Sequence, residues 1–312
     1  MVKDFSGKLA VVTGGGTGMG RALAQQLAEL GCDVAMCDVI DKHMQETLDL
    51  CKASVPQGVR VTAHHCDVAL EDDIIRFRDE IQRDHECDHI NLLFNNAGIA
   101  GAGSLIKASR QEWERTFNIC WNGVYLMTRH FLPLLLASDD GHIINTSSVN
   151  GFHATLGGMP HTAYSSAKFA VKGFTEALIT DFRYNAPHLK ASVVMPGYIG
   201  TGITRNTREI LGTGVIDLTD AQLEMNRARW VEGGLVENPD ASTDEIREAL
   251  DGWMEEYDQG GMSPEDAATV ILDGVRNDEW RILVGEDAFA LDKAVRATPE
   301  KAYDSDFSVV VE

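Results

Sequence analysis

Short β-branched and apolar runs alternate with longer stretches of helical period through the first two hundred residues of the chain. The pattern predicts strands near Leu9 to Thr13, Asp33 to Cys37, Arg60 to Ala63, Ile90 to Phe94, His142 to Thr146 and Ala191 to Met195, most of them followed by a helix. From Arg21 to Leu30 the residues Leu23, Leu27 and Leu30 fall on one helix face, and from Phe169 to Phe182 so do Val171, Phe174, Leu178 and Phe182. Such alternation predicts an α/β, Rossmann-like doubly wound parallel sheet with helices on both faces.

No linker rich in Pro, Gly or Ser and no repeat divides the sequence, so residues 1–312 are expected to form one catalytic domain. The composition shifts once, between Ile199 and Gly261, where a polar, acidic segment is punctuated by Leu211, Met225, Trp230, Trp253, Met254 and Tyr257. A long insertion after a strand's carboxyl end is where an α/β fold places a substrate cover, so 199–261 is expected to be a helical cap acting as a mobile lid. In it Leu211, Met225 and Trp230 are expected to supply apolar wall, with Trp253 and Tyr257 packing inward. Residues 286–312 are expected to form a C-terminal extension.

Charge narrows the function. The 312 residues carry 27 Lys and Arg against 48 Asp and Glu, a formal charge of −21, which repels nucleic acid and anionic membranes and disfavours anionic substrates. The six cysteines lie in the first 120 residues without C-x-x-C or zinc spacing, which fits a reducing, cytoplasmic compartment. No apolar signal core follows the start, and no uncharged apolar run approaches the ~18 residues of a membrane span.

The first strand runs into Thr13-Gly14-Gly15-Gly16-Thr17-Gly18-Met19-Gly20 and then a helix. Glycines let the backbone turn tightly and approach a pyrophosphate, and the helix N-terminus offers it unpaired N–H groups. Gly20 is followed by Arg21-Ala22, which disfavours a P-loop. Asp38 ends the second strand eighteen residues past Gly20, near the ~20-residue offset at which a carboxylate meets an adenosine ribose. That carboxylate would repel a 2′-phosphate, and neither Thr17 nor Val39 is basic, so NAD is the expected cofactor.

Tyr164 and Lys168 stand four apart at the start of a periodic helix and therefore share a face, and Ser148 closes the preceding strand. With Gly14-x-x-x-Gly18-x-Gly20, Asn95-Asn96-Ala97-Gly98 and Pro196-Gly197, these residues give the chain, over about residues 6 to 201, a resemblance to the classical short-chain dehydrogenase/reductase family, with a weaker echo at Ser263 to Gly285. The resemblance implies an oxidoreductase passing hydride between NAD(H) and a secondary alcohol or ketone, with Tyr164 exchanging the proton, Ser148 holding the substrate oxygen and Lys168 both binding the nicotinamide ribose and lowering the phenol's pKa. It further implies cofactor contacts from Gly14, Thr17, Gly18, Met19 and Gly20, from Asp38 at the ribose, and from Asp67 and Val68 flanking the adenine. Asn95, Ala97 and Gly98 would line the adenosine side, Pro196 and Gly197 would also contact the cofactor, and Thr201 would contact the nicotinamide carboxamide. The family's fourth catalytic position, usually asparagine, falls on Cys120, with Asn118 and Asn122 out of register. Reduction of a carbon–carbon double bond and a turnover-poor nucleotide-sensing module are the alternatives.

The remaining expectations are a small, apolar and uncharged substrate, and a homodimer or homotetramer built on the helix from Trp121 to Leu136 and the one beginning near Tyr164. His64-His65-Cys66 lies along a strand whose neighbours point to opposite faces, so no metal site is expected. His142, His153 and His161 read as satisfied histidines around the catalytic segment, and the carboxylates from Glu237 to Asp258 as a solvated helix face.

Overall fold

The computed structural model of the chain describes residues 4–101, 103–156, 159–212, 219–232, 234–304, 307 and 309. Every residue of the first strand, β1 (Leu9–Thr13), is buried. Its side chains alternate between two cores, Ala10 and Val12 on one face of the sheet and Leu9 and Val11 on the other. A strand covered on both sides requires helices on both sides, and the chain supplies them in sequence. After β1 come α1 (Gly18–Glu29), β2 (Asp33–Asp38), α2 (Asp41–Ser54), β3 (Val61–His65), α3 (Glu71–Asp84), β4 (Leu92–Asn95), α4 (Arg110–Phe117), α5 (Gly123–Leu136) and β5 (His142–Thr146). A two-residue hairpin, β6 (Thr155–Leu156) with β7 (Met159–Pro160), precedes α6 (Thr162–Asn185) and β8 (Lys190–Pro196). Then follow α7 (Ile203–Leu211), α8 (Asp220–Glu232), α9 (Thr243–Gln259), α10 (Pro264–Arg276), β9 (Arg281–Val284) and α11 (Glu286–Ala297).

Seven strands form one parallel sheet in the order β3-β2-β1-β4-β5-β8-β9. Leu23 and Leu27 of α1 and Ile271 and Leu272 of α10 fill one face. Ile74, Phe77 and Ile81 of α3 meet Phe131 and Leu135 of α5 on the other, with the Phe77 and Phe131 rings 5.8 Å apart. Each such side chain taken out of water contributes about 1.5–3 kcal/mol. The order reverses at β1, from which the chain first builds outward through β2 and β3 and then returns to β4. Crevices at the carboxyl ends of strands on either side of such a reversal are where open α/β sheets bind ligands.

The expected strands are present, Leu9–Thr13 and His142–Thr146 with the expected ends and the other four with shifted ones. The strand expected at Ile90 to Phe94 begins at Leu92, and Asn91 just before it bonds to Leu9 with both backbone and side chain, donating from its N to Leu9 O at 3.0 Å and accepting at Oδ1 from the Leu9 N–H at 3.1 Å. The strand expected at Arg60 to Ala63 runs Val61–His65. The seventh strand, β9, had no counterpart in the pattern, being four residues long and opening on an arginine.

The described part of 199–261 carries the helices α7, α8 and α9, as expected, and has a small core of its own, in which Leu223, Val236, Ala241, Ile246, Leu250 and Met254 are buried with Trp230 against them. Helix α9 is set by a capping box between Ser242 and Glu245, an arrangement worth about 1 kcal/mol. The insertion closes on itself at its base, where Gly200 N donates to Met262 O at 2.9 Å and Met262 N to Tyr198 O at 3.0 Å.

Candidate active site

A cleft of about 820 Å³, part of it open to solvent, runs along the carboxyl edge of the sheet at the β1 reversal. Gly14, Thr17, Gly18 and Met19 form one side, Asp38, Asp67 and Val68 the far end, and Ala97, Gly98 and Thr201 the other side. Gly14 turns the chain at φ +67°, and a Cβ there would lie 2.9 Å from the Ala97 backbone. Helix α1 starts at this turn without a side-chain cap and without an acidic residue in its first turn. Its N-terminal N–H groups are thus available to an anion, and the Thr17 hydroxyl, placed to cap them, instead accepts from Asn206 Nδ2 at 2.7 Å. These features fit the pyrophosphate of a dinucleotide.

Asp38 faces the same cleft and is held by three backbone donors, Gly16 N at 3.0 Å, Val39 N at 2.7 Å and Ile40 N at 3.2 Å. Asp67 is fixed at the far end of the cleft by Arg115, whose guanidinium donates to it at 2.6 Å. Thr13 ties the two sides of the cleft together, its hydroxyl accepting from Asn96 N at 2.9 Å and Ala97 N at 3.0 Å.

Four expected cofactor residues do other work. Asn95 points away from the cleft into the core, where its amide donates to Thr128 Oγ1 at 3.1 Å and Asn145 Oδ1 at 2.8 Å. Its neighbour Asn96 lines the cleft, as strand alternation requires. Gly20 lies inside α1, where any Cβ would overlap the Gly14 carbonyl, so it sets how closely helix and strand pack. Pro196 and Gly197 stand behind the cleft, Pro196 in register with Val284 of β9 and Gly197 packed against the Asp287 carboxylate. Pattern reading missed Arg115 and the cap residues Ile203, Asn206 and Ile210, all of which line the cleft. They come from distant segments, and no spacing signal links them to the glycine turn.

The catalytic candidates converge beyond Gly98, whose open side lies 3.5 Å from Lys168 Nζ and 3.7 Å from Cys120 Sγ. Tyr164 and Lys168 occupy the first two turns of α6, with the Lys168 nitrogen 5.3 Å from the centre of the Tyr164 ring. Lys168 is buried and donates to Thr146 O at 2.8 Å. Ser148 caps a single 3₁₀ turn, accepting from Asn150 N at 3.1 Å. Burial pushes the Tyr164 hydroxyl above its usual range, and Cys120 and Tyr257 add to this, while Ser148 works the other way through a hydrogen bond that favours the phenolate. Burial also pulls Lys168 down, with Cys120 opposing it. Lys168 is not among the groups acting on the phenol, so in place of the lowering expected from it burial is the main influence.

Cys120 lies in a one-turn π-helix, Asn118–Asn122, inserted between α4 and α5. Its buried thiol donates to Ile99 O at 3.2 Å and is pushed up by burial, so it is a held, protonated group rather than a nucleophile. Asn122 and Asn118 hydrogen-bond each other at 2.6 Å.

The histidines are engaged in different ways. His64 meets Glu80 at 3.0 Å and Thr62 at 2.8 Å, and His65 meets Asp41 at 2.8 Å. His142 is hydrogen-bonded to Ser192 at 2.7 Å. His153 is gripped by the C-terminal extension, its Nε2 2.8 Å from Ala302 O and its ring stacked 5.2 Å from Tyr303. His161 departs from expectation, since its buried Nδ1 has no hydrogen-bond partner and its ring lies edge-on to Tyr164 at 6.2 Å. Among the described residues no cluster of His, Cys, Asp and Glu could hold a metal ion, and no helix is long and apolar enough to cross a membrane.

The cap also departs from its expected roles. Trp230 packs into the cap's own core, Leu211 presses on Gly101, and the Met225 side chain lies outside the described residues. Trp253 stays 40% exposed rather than packing inward, and Asp258, expected on a solvated face, is 7% exposed and accepts from Thr204 Oγ1 at 2.5 Å.

Comparison with known proteins agrees with this geometry. SadH of Mycobacterium tuberculosis, named as an oxidoreductase, is 32% identical over 295 residues, 95% of this chain and 92% of its own. A short chain dehydrogenase/reductase from Burkholderia phymatum in complex with NAD superposes at a TM-score of 0.76, with 25% identity and 99% of each chain covered. A metagenomic short-chain oxidoreductase in complex with NADP superposes at 0.55, with 29% identity over 62% of this chain and 84% of its own. A model of the short chain dehydrogenase family matches residues 8–211, and the chain, with its glycine turn and its Ser148, Tyr164 and Lys168 on the elements described above, belongs to that family of oxidoreductases.

Proposed function

We propose that the protein is an NAD-dependent dehydrogenase that interconverts a secondary alcohol and a ketone. The observation carrying this is the convergence of Ser148, Tyr164 and Lys168 where the floor of the dinucleotide cleft ends at Gly98. A bound nicotinamide supplies or accepts the hydride. Ser148 and Tyr164 present two hydroxyls to one substrate oxygen, and the proton is exchanged at Tyr164 Oη. Lys168, anchored to Thr146 O, places a cationic donor between the phenol and the cleft, where a ribose hydroxyl would lie. Cys120 holds the loop at Ile99 and keeps the π turn in place, leaving proton transfer to the tyrosine. Such hydroxyls suit a carbonyl oxygen better than a carbon–carbon double bond, which accumulates charge on carbon.

NAD is favoured over NADP by Asp38, whose carboxylate is held facing the cleft by three N–H groups. Arg21, the guanidinium next to it, is committed to Gly16 O at 2.6 Å and Glu46 at 3.1 Å. The test is a panel of secondary alcohols with NAD, followed by NADH absorbance, on the wild type and Tyr164→Phe. Loss of the phenol should lower kcat by about 10² or more, the usual scale of general acid–base catalysis, with NADH binding nearly intact. Turnover that survives the change would place the chemistry elsewhere.

A further inference from the structure

The loop between Ser148 and α6 is held by hydrogen bonds that join end to end. Asn150 donates from its backbone N to Ser148 Oγ at 3.1 Å and from its amide Nδ2 to Ser165 Oγ at 3.1 Å. Ser165, the residue after Tyr164 on α6, donates in turn from its hydroxyl to Ala154 O at 3.3 Å. Ala154 N donates to the Tyr303 hydroxyl at 2.9 Å, so a continuous path runs from the C-terminal extension to the catalytic serine. The extension also grips the loop beside Ala154, where His153 Nε2 is 2.8 Å from Ala302 O and its ring stacks on Tyr303 at 5.2 Å with 18° between planes and meets Phe307 at 5.4 Å. Nearer Ser148, Val149 packs in a small core with Leu283 of β9 and Ala288 of α11. Each link fixes the next. The Asn150 N–H occupies a lone pair of Ser148 Oγ and leaves that hydroxyl's proton for an oxygen in front of it, so the direction in which Ser148 donates depends on where Asn150 sits. A serine hydroxyl turns to suit its acceptor, so Ser165 keeps a lone pair toward Asn150 while Ala154 O takes its proton. None of Ser148, Asn150, Ala154, Ser165 and Tyr303 lines the dinucleotide cleft, so the path acts on the substrate side alone.

We propose that the C-terminal extension is a clasp that aims the Ser148 hydroxyl at the substrate oxygen, with Tyr303, Ser165 and Asn150 as positioning residues. This rests on the dehydrogenase reading, since the clasp reaches turnover only through a serine that holds that oxygen. Tyr303 is the outermost link, and at 62% exposed it can be changed with little disturbance to the core.

The test measures kcat with NAD and a secondary alcohol, and NADH affinity by fluorescence titration, on the full-length enzyme, on Tyr303→Phe and on a chain ending at Thr298. Tyr303→Phe removes one neutral hydrogen bond and should lower kcat about two- to tenfold, and the shorter chain should lower it at least as much, with NADH affinity kept in both. In a Ser165→Ala background neither change should lower kcat further, because the path is already cut, whereas independent supports of the fold would add. Thermal melts check that each variant is folded, and Tyr303→Phe carries the test if the shorter chain does not fold. A second reading is independent of turnover: backbone hydrogen exchange over residues 148–154, which contain the Asn150 and Ala154 donors, should quicken in both variants while residues 13–20 of the glycine turn keep their rate. Turnover that neither variant lowers, losses that add to that of Ser165→Ala, or NADH affinity that falls along with kcat overturns the clasp and leaves the dehydrogenase reading standing. Quickened exchange without turnover of any secondary alcohol or ketone supports the clasp and overturns the chemistry. Unchanged exchange without turnover overturns both.

Discussion

At the scale of single residues, the site is governed by where charge is allowed to exist. The Tyr164 hydroxyl is pushed above the ordinary phenol range of about 10 by burial. Ketone reduction uses the protonated phenol, so its rate should stay level through neutral pH and fall only at strongly alkaline pH. Alcohol oxidation needs the phenolate and should climb with pH throughout. Initial rates in both directions over one pH series check this, and an oxidation rate already level at neutral pH would show that burial does not set the phenol's acidity. Asp38 governs the other end of the cleft. Asp38→Ala together with Val39→Arg removes a repulsion and supplies a phosphate partner, so fluorescence titration should show the preference for NADH over NADPH narrowed or inverted. Equal affinity of the wild type for the two nucleotides would remove the assigned role of Asp38. These residues were legible in the sequence because local geometry fixes them: four residues make one helical turn, and glycines between strand and helix have one use. Asn95 misled because it and Asn96 are adjacent polar residues at a strand end, and the face each takes depends on register. Arg115 and Asn206 carried no signal, since their partners Asp67 and Thr17 are 48 and 189 residues away.

At the scale of elements, the cap is where pattern and structure agree on kind and differ in detail. Helicity follows from the periodicity of Ile246, Leu250 and Met254. The destinations of Trp230 and Trp253 do not, because period alone cannot tell whether an apolar face meets the sheet, its own neighbours or a ligand. We propose that this segment moves as a cover, and the structure limits how. Its base is pinned by the Ile199–Met262 bridge, and α7 is held to the glycine turn by Asn206 and to Ala100 N by the Thr207 hydroxyl at 2.9 Å. The carboxyl end of α9 is held as well, by Tyr198 at Tyr257 O and by Thr204 at Asp258, so motion belongs to α8 and the start of α9. Limited proteolysis should cut between 212 and 242 quickly in the free protein and slowly once NAD and a substrate analogue are bound. Slow cutting that ignores ligand would make the cap a fixed structural element.

At the scale of the whole molecule, the parallel sheet followed from strand–helix alternation, while its strand order came from the structure and the short β9 lay outside that rhythm. The outer faces of α5 and α6 carry Tyr125, Leu136 and Phe169, exposed by 44%, 45% and 42%. We propose that these helices pair between copies of the chain, because a monomer has no reason to present such a surface to water. Light scattering at micromolar concentration should give a multiple of 34.1 kDa, and a mass equal to it would contradict the pairing. The pinched base of the cap has a consequence for how such an enzyme diversifies. Because Ile199 and Met262 are bridge partners, with Met262 hydrogen-bonded to the residues on either side of Ile199, the stretch between them is a module on a narrow neck, exchangeable without breaking a strand of the sheet. The exchange is not free of the nucleotide, since Ile203, Asn206 and Ile210 travel with the module and close one side of the dinucleotide cleft. A lineage that swaps caps to reach new substrates would retune its grip on the coenzyme in the same event, so substrate range and coenzyme affinity are inherited together.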